Sequence, residues 1–469
     1  MVQRPRGTRD FTPSEMRRRM ALEQLLESTS QKFGYHRVQT PIFETLDLFT
    51  AKSGPGVVSQ LYAFQDKSDR ALTLRPELTA PVMRMVADEM RNETKPLRLS
   101  YFGQCFRYEE SKKGRYREFF QYGVECIGVS GPEAEAEVLS LAIEMLHQSG
   151  LNEWEIRIGH VGVLHEILQE LGLSDQGEPE SPIASAMRYL DKGDWEGLSS
   201  LFQNLGIETS SIELLKELAS LDGGKETLDQ ASSILGQLGV SSESLDSLAL
   251  TLNFVELLCQ KPPSMKVNLT VARGLDYYTG MVFEVHVPSL GGEGQVLGGG
   301  SYRLLHLFGL PDLDPCCGFG LGFDRVLLAL EAQAQAHQQQ YVVPGEQKEI
   351  MLALIPFKIS LEHVLELVRD LREKNHEVMV DLKSRGMGKS LAWADASGAS
   401  HAIIIGPKDL ESQTCSIKNL ASGEQVTSAL LAGALIELGI KSKSWLISFF
   451  VSLGLDKFSF STFGIYSSF

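Results

Sequence analysis

Between residues 14 and 33 apolar side chains recur at helical spacing, with Met20, Leu22, Leu25 and Leu26 marking the stripe, and Gly34 stands where a left-handed residue ends a helix. Residues 35–40 then predict a strand closed by Pro41, whose missing N–H suits a strand end or edge. Short apolar runs at 71–74, 97–102, 119–127 and 154–158 predict further strands, and 133–148 predicts a long helix. The pattern is α+β with a mostly antiparallel sheet. From about 165 to 262 the period becomes 3.6 and Leu, Glu and Ser dominate, which predicts a helical insertion. Strand-like segments return at 266–271, 281–287 and 294–297, and a helix opens near Gly322 and runs through Leu330.

Residues 331–347, with an Ala/Gln run and Pro344, read as a linker. Beyond them, 348–440 alternate strand and helix as a small α/β domain, at 350–355, 361–373, 377–380, 389–397, 402–405, 415–418 and 425–438. The last stretch, 441–469, holds six of the 22 Phe mixed with Ser and does not match the rest.

A chain of 469 residues, 43% hydrophobic, is long enough for two to four domains with large cores. Its 44 Lys+Arg against 60 Asp+Glu give a net charge of −16, which excludes a uniformly basic nucleic-acid coat but leaves local basic clefts open. The N-terminus lacks an apolar stretch of the secretory kind, so a cytoplasmic location is expected. Six cysteines without a C-x-x-C pair predict reduced thiols and no structural zinc. Residues 445–455, the most apolar late stretch, are too short to span a membrane.

Three clusters carry candidate chemistry. Residues 106–119 place Arg107, Glu109, Lys112, Lys113, Arg115, Arg117 and Phe119 around Gly114, between two strand runs. A hairpin of that kind holds guanidinium groups over a cleft, where they bind phosphate or carboxylate, and Phe119 can stack on a flat base; a solvated hairpin tip is the alternative. Arg273-Gly274-Leu275-Asp276-Tyr277-Tyr278-Thr279-Gly280 sets a cation, a carboxylate and two phenols between glycines, and adjacent tyrosines in a strand face opposite ways. Gly298-Gly299-Gly300-Ser301-Tyr302, then Gly318 to Arg325, reads as glycine-rich turns before a helix, an anion site or close strand packing. Gly388-Lys389-Ser390 fails the phosphate-loop spacing because Lys383 occupies the leading glycine position, and His160 and His165 lack a carboxylate at metal spacing.

In this order the clusters resemble motif 2, the histidine-specific loop and motif 3 of the class II histidyl-tRNA synthetase family. Pro5-Arg6-Gly7-Thr8-Arg9-Asp10-Phe11, Thr40-Pro41 and Thr73-Leu74-Arg75-Pro76-Glu77-Leu78-Thr79 match as well, and the resemblance covers about residues 1–440. The small domain is similar to the family's anticodon-binding domain at Ser390-Leu391, Ala394-Asp395, Ile405-Gly406 and Ser422 to Gln425. The chain departs from many members at Gly299 to Arg303, at Phe323-Asp324-Arg325 and at Leu78.

The resemblance implies a class II antiparallel sheet flanked by helices over 1–330, and activation of L-histidine by ATP with Mg²⁺ before transfer to histidine tRNA by a homodimer. It implies that Arg107 bridges the amino-acid carboxylate and the α-phosphate, that Glu109 meets the adenine side, and that Phe119 and Arg325 sandwich the adenine. Arg325 and Arg115 would lie near the terminal phosphates, and Arg273 would stabilise the α-phosphate during attack. Glu77, Thr79 and Gln121 would surround the α-amino group, Glu125 and Tyr278 the imidazole nitrogens, with Tyr302 as a wall and Tyr277 nearby. Gln121 and Glu125 share strand parity and so one face. Structural ion pairs are the alternative for Glu77 and Glu125. Lys112 and Lys113 would meet the tRNA acceptor end, and Lys383, Arg385 and Lys389 would form a second basic patch. No metal ligands are assigned. The competing readings are a non-aminoacylating paralogue, such as the regulatory subunit of ATP phosphoribosyltransferase, and a generic nucleotide-binding protein. The retained arginines and the C-terminal domain weigh against the first, the pocket residues against the second.

Overall fold

The computed structural model describes residues 2–50, 58–110, 114–173, 181–208, 210–261, 263–269, 278–313, 315–346 and 351–429. The chain divides into two units, Met1–Glu346 and Gln347–Phe469. The first helix, Pro13–Lys32, opens on Thr12, whose N–H donates to Glu15 Oε2 at 2.8 Å, and Pro13 occupies a position where no amide donor is needed. Leu22 and Leu26 on its inner face are fully buried.

The first unit contains strands β1 (His36–Arg37), β2 (Phe43–Thr45), β3 (Tyr62–Gln65), β4 (Ala71–Leu74), β5 (Leu97–Phe106), β6 (Glu118–Ile127), β7 (Glu155–His160), β8 (Met265–Val267), β9 (Tyr278–His286), β10 (Gln295–Tyr302) and β11 (Cys316–Gly322). Eight form one sheet in the order β1-β5-β6-β11-β10-β9-β7-β8, antiparallel except at its two edge pairs. β2, β4 and β3 make a separate small antiparallel sheet. The strand expected over 35–40 is a ladder of two residues, because the Thr40 and Pro41 carbonyls accept from the Arg75 guanidinium instead, at 2.9 and 3.1 Å.

Strand alternation gives the large sheet two unlike faces. Tyr122, Val124, Cys126, Phe283, Val285, Leu297, Cys317, Phe319 and Leu321 point into the main core, packed with the helix Pro132–Gln148. The opposite parity carries Gly103, Gly123, Gly298, Gly300, Gly318, Gly320 and Gly322, which the register sets side by side across four strands. The glycine-rich segments expected as turns are thus central strands. In β11 the glycines alternate with Phe319 and Leu321, whereas β10 carries three in succession, Gly298 to Gly300; the helix Phe323–Ala336 begins directly after β11. That helix extends to Ala336, past the start of the expected linker, since Ala and Gln both favour helix.

Between β7 and β8 lie the helices Val161–Glu170, Pro182–Lys192, Trp195–Leu205, Ser210–Ser220, Thr227–Gln237 and Glu243–Leu258. The second unit holds β12 (Leu352–Pro356), β13 (Val378–Val380), β14 (His401–Ile405), β15 (Thr414–Asn419) and β16 (Gln425–Ala429) in the order β13-β12-β14-β15-β16, with its own apolar core. All six cysteines are free thiols. No helix among the described residues is long and apolar enough to cross a membrane, and residues 445–455 lie outside that set.

Candidate active site

β6 builds the centre of the glycine-floored face. Phe119, Gln121 and Glu125 share its parity, while Tyr122 and Val124 between them fill the core. Glu125 is 1% exposed, and its two oxygens accept from the Tyr101 hydroxyl at 2.8 Å and the Tyr302 hydroxyl at 2.5 Å. Two glycines make this possible: a Cβ on Gly318 would overlap Glu125 Oε2, and one on Gly123 would overlap the Tyr101 ring. Burial pushes the Glu125 carboxyl up to about 7, against the phenol hydrogen bonds that favour its ionised form. Burial likewise holds the Tyr101 and Tyr302 phenols well above their usual range.

Tyr278 begins β9 opposite Tyr302, with ring centroids 6.4 Å apart and nearly perpendicular planes. Thr79 Oγ1 lies 3.3 Å from the Tyr101 hydroxyl. Glu77 caps the helix Thr79–Glu89, accepting from the amides of Thr79 at 2.5 Å and Ala80 at 3.0 Å. Burial raises the Glu77 carboxyl above its ordinary value, although these amides and the charge of Arg107 oppose the shift. Arg75 fixes the turn that carries it, with Nε donating to the Gln104 carbonyl at 2.8 Å. Gln121 Oε1 accepts from the Cys105 thiol at 3.2 Å.

The cationic side lies at the β5–β6 hairpin. Arg107 donates from Nε to the Pro76 carbonyl at 3.0 Å, and its guanidinium lies 5.4 Å from the Phe119 ring centroid. Glu109 pairs with Arg115 at 3.6 Å. Arg325 Nη1 donates to the Gln295 carbonyl at 2.6 Å and its Nε to the Gly114 carbonyl at 3.4 Å, which ties the last helix of the unit to the hairpin tip. Arg273, Tyr277, Lys112 and Lys113 lie outside the described residues.

Two residues of this site were not singled out from sequence. Tyr101 sits in a run that reads only as apolar strand. Asp324, noted only as a departure, is 4% exposed; Oδ1 accepts from Arg9 and Arg19, both at 2.6 Å, and Oδ2 from the Phe120 amide at 2.7 Å. Its place beside Arg325 was the available signal. His160 is a packing residue, Nδ1 accepting from the Gly162 amide at 3.1 Å, and Ser390 is buried against Asp381 at 2.6 Å. Among the described residues no three His, Cys, Asp or Glu gather as a metal site.

An antiparallel sheet with a glycine floor, arginines on a hairpin and on the following helix, and a buried polar pocket between them define a class II aminoacyl-tRNA synthetase. A family model described as histidyl-tRNA synthetase matches residues 7–326, and one described as an anticodon binding domain matches 339–432. The chain is 41% identical over 428 residues to a histidine–tRNA ligase of Archaeoglobus fulgidus, covering 91% of this chain and 97% of that one. With the histidine–tRNA ligase of Methanosphaerula palustris it shares 40% over 425 residues, 91% of this chain and 96% of the relative. The crystal structure of apo S. aureus histidyl-tRNA synthetase superposes with a TM-score of 0.68 at 26% identity, over 92% of this chain and 98% of that one. The chain belongs to the histidyl-tRNA synthetase family.

Proposed function

We propose that this site performs the family's reaction: it activates L-histidine with ATP to histidyl-adenylate and passes the histidyl group to the 3′ end of histidine tRNA. The observation that carries the reading is Glu125, buried between two phenols at the floor of an arginine-rimmed cleft. A pocket that hydrogen-bonds both imidazole nitrogens rejects amino acids without them, since its own buried groups would be left unpaired. Glu125 and Tyr278 take that part, with Tyr302 and Tyr277 beside them, while Glu77, Thr79 and Gln121 receive the α-amino group.

The histidine carboxylate, already ionised, attacks the α-phosphorus of ATP; one P–O bond forms, the bond to the bridging oxygen breaks, and pyrophosphate leaves. Charge gathers on the equatorial oxygens, and Arg107 and Arg273 stabilise it as fixed cations. Glu109 and Phe119 hold the adenine with Arg325, and Arg115 meets the terminal phosphates. Mg²⁺ fits as an ion carried in on the nucleotide, because it needs few protein carboxylates and the described residues offer no cage; bound there, it neutralises phosphate charge. Attack by a ribose hydroxyl on the adenylate's acyl carbon then releases AMP. Lys112 and Lys113 steer the acceptor end.

The chain acts in the cytoplasm as a homodimer. Phe43 and Phe64, exposed on one face of the small sheet, are where a partner surface would seat. The non-aminoacylating paralogue is not favoured, because the anticodon-binding domain is present and Arg107, Arg273 and Arg325 are retained. Amino-acid-dependent ATP–pyrophosphate exchange tests the reading: exchange with histidine alone, abolished in Arg273→Ala, is expected. A folded protein with no exchange would overturn it.

A further inference from the structure

Beneath the histidine pocket, on the core face of the sheet, Glu135 of the helix Pro132–Gln148 is 2% exposed and receives three donors from three parts of the chain. Oε1 accepts from Ser301 Oγ at 2.6 Å and from the Met281 amide at 3.2 Å, and Oε2 accepts from Thr251 Oγ1 at 3.0 Å. Ser301 immediately precedes Tyr302 on β10. Met281 lies where the β9–β10 register shifts: Gly300 pairs with Val282 but Tyr302 pairs with Tyr278, so residues 279–281 stand against Ser301 alone. Such a bulge re-aims side chains, and its freed backbone donors need acceptors. Without the shift, Tyr302 would face Gly280 instead of the Tyr278 phenol. Thr251 is fully buried on Glu243–Leu258, the last helix of the insertion.

We propose that Glu135 is a positioning residue for histidine recognition. It holds the bulge and Ser301 so that Tyr278 stands against Tyr302, and through Thr251 it makes the helical insertion a support of the amino-acid pocket. Glu135 acts through Ser301 and the bulge, at the wall of a cavity of about 400 Å³ that Tyr302, Thr279 and Gly280 also line. The inference rests on Tyr278 and Tyr302 belonging to the histidine pocket. A carboxylate suits the role because one oxygen can accept from Ser301 and Met281 together while the other takes Thr251.

The test is pyrophosphate exchange by the full chain, with KM measured separately for histidine and ATP. Glu135→Ala should raise the histidine KM about tenfold, the scale of one or two lost hydrogen bonds, and leave the ATP KM within about twofold. Glu135→Gln should restore most of the loss. Its oxygen still accepts from Ser301 and Met281, and its amide can donate to Thr251, which then donates to the Ser247 carbonyl, 3.1 Å away. Thr251→Val should raise the histidine KM alone by about threefold, and it decides the matter if Glu135→Ala fails to fold. A folded Glu135→Ala that leaves both KM values unchanged, or raises both equally, would mean a merely structural role and overturn the proposal, as would an unchanged histidine KM in Thr251→Val. Failure of the wild-type protein to exchange with histidine is a separate result, which removes the reading of the site and this proposal with it.

Discussion

Glu125 combines a buried carboxyl, a near-neutral pKa and two phenol donors, and its titration has a definite sign. Its pKa rises from 4.5 to about 7 on folding, so between those values the folded chain holds a proton that the unfolded chain has released. Its contribution to stability is therefore largest below pH 4.5 and falls as pH rises through 7. Glu125→Gln should make the ligand-free protein more stable than wild type at pH 8, by an amount on the order of a few kcal/mol, with the gap closing towards pH 5. Urea titrations at the two pH values check this; an equal gap at both would show that Glu125 stays ionised throughout. The same substitution should raise the histidine KM, since an amide cannot replace an ionised acceptor. At this scale much was legible, because Gln121 and Glu125 share a parity that sequence alone displays. Tyr101 was not, since an apolar strand hides which of its residues lies across a glycine of its neighbour.

At the scale of elements, Asp324 joins three of them: the N-terminal segment through Arg9, the first helix through Arg19, and β6 through the Phe120 amide. Arg9 also lies 3.6 Å from the Tyr116 ring centroid, and the Gly7 carbonyl accepts from the Arg117 amide at 2.9 Å, so the N-terminal segment straps the hairpin. Asp324→Asn leaves the buried Arg19 guanidinium and the partly buried Arg9 guanidinium without their counter-charge, and breaking a buried pair costs about 3–5 kcal/mol. It should also raise the ATP KM more than the histidine KM, because the neighbouring Arg325 and Phe119 move with it. Unfolding curves and exchange kinetics check both halves. Most helices and strands were readable from their periods. The strap was not, since contacts between residues some 300 apart in sequence leave no periodic trace.

For the whole molecule, two units with separate cores imply separable tasks. A chain ending at Glu346 should keep histidine-dependent exchange and lose most tRNA charging, measured as aminoacylation at fixed tRNA; equal loss of both activities would show that the units do not work independently. The α+β class and the order of the motifs were legible because each motif is local. The sidedness of the large sheet was less so: glycines read as turns proved to be central strand positions, and only in β11 does alternation with Phe319 and Leu321 mark them as such. That sidedness bears on how the pocket could be redesigned. A floor built from seven residues without side chains has nothing to trim, so a bulkier histidine analogue cannot gain room by shortening what lies beneath it. An added methyl at Gly103, Gly123 or Gly318 would strike Arg75, Tyr101 or Glu125 and displace the pocket's own side chains. On the proposed assignment of the pocket, altered selectivity comes from the rim, at Tyr278, Tyr302 or Gln121, and a drug pressed flat against the floor would face few resistance substitutions that spare the enzyme.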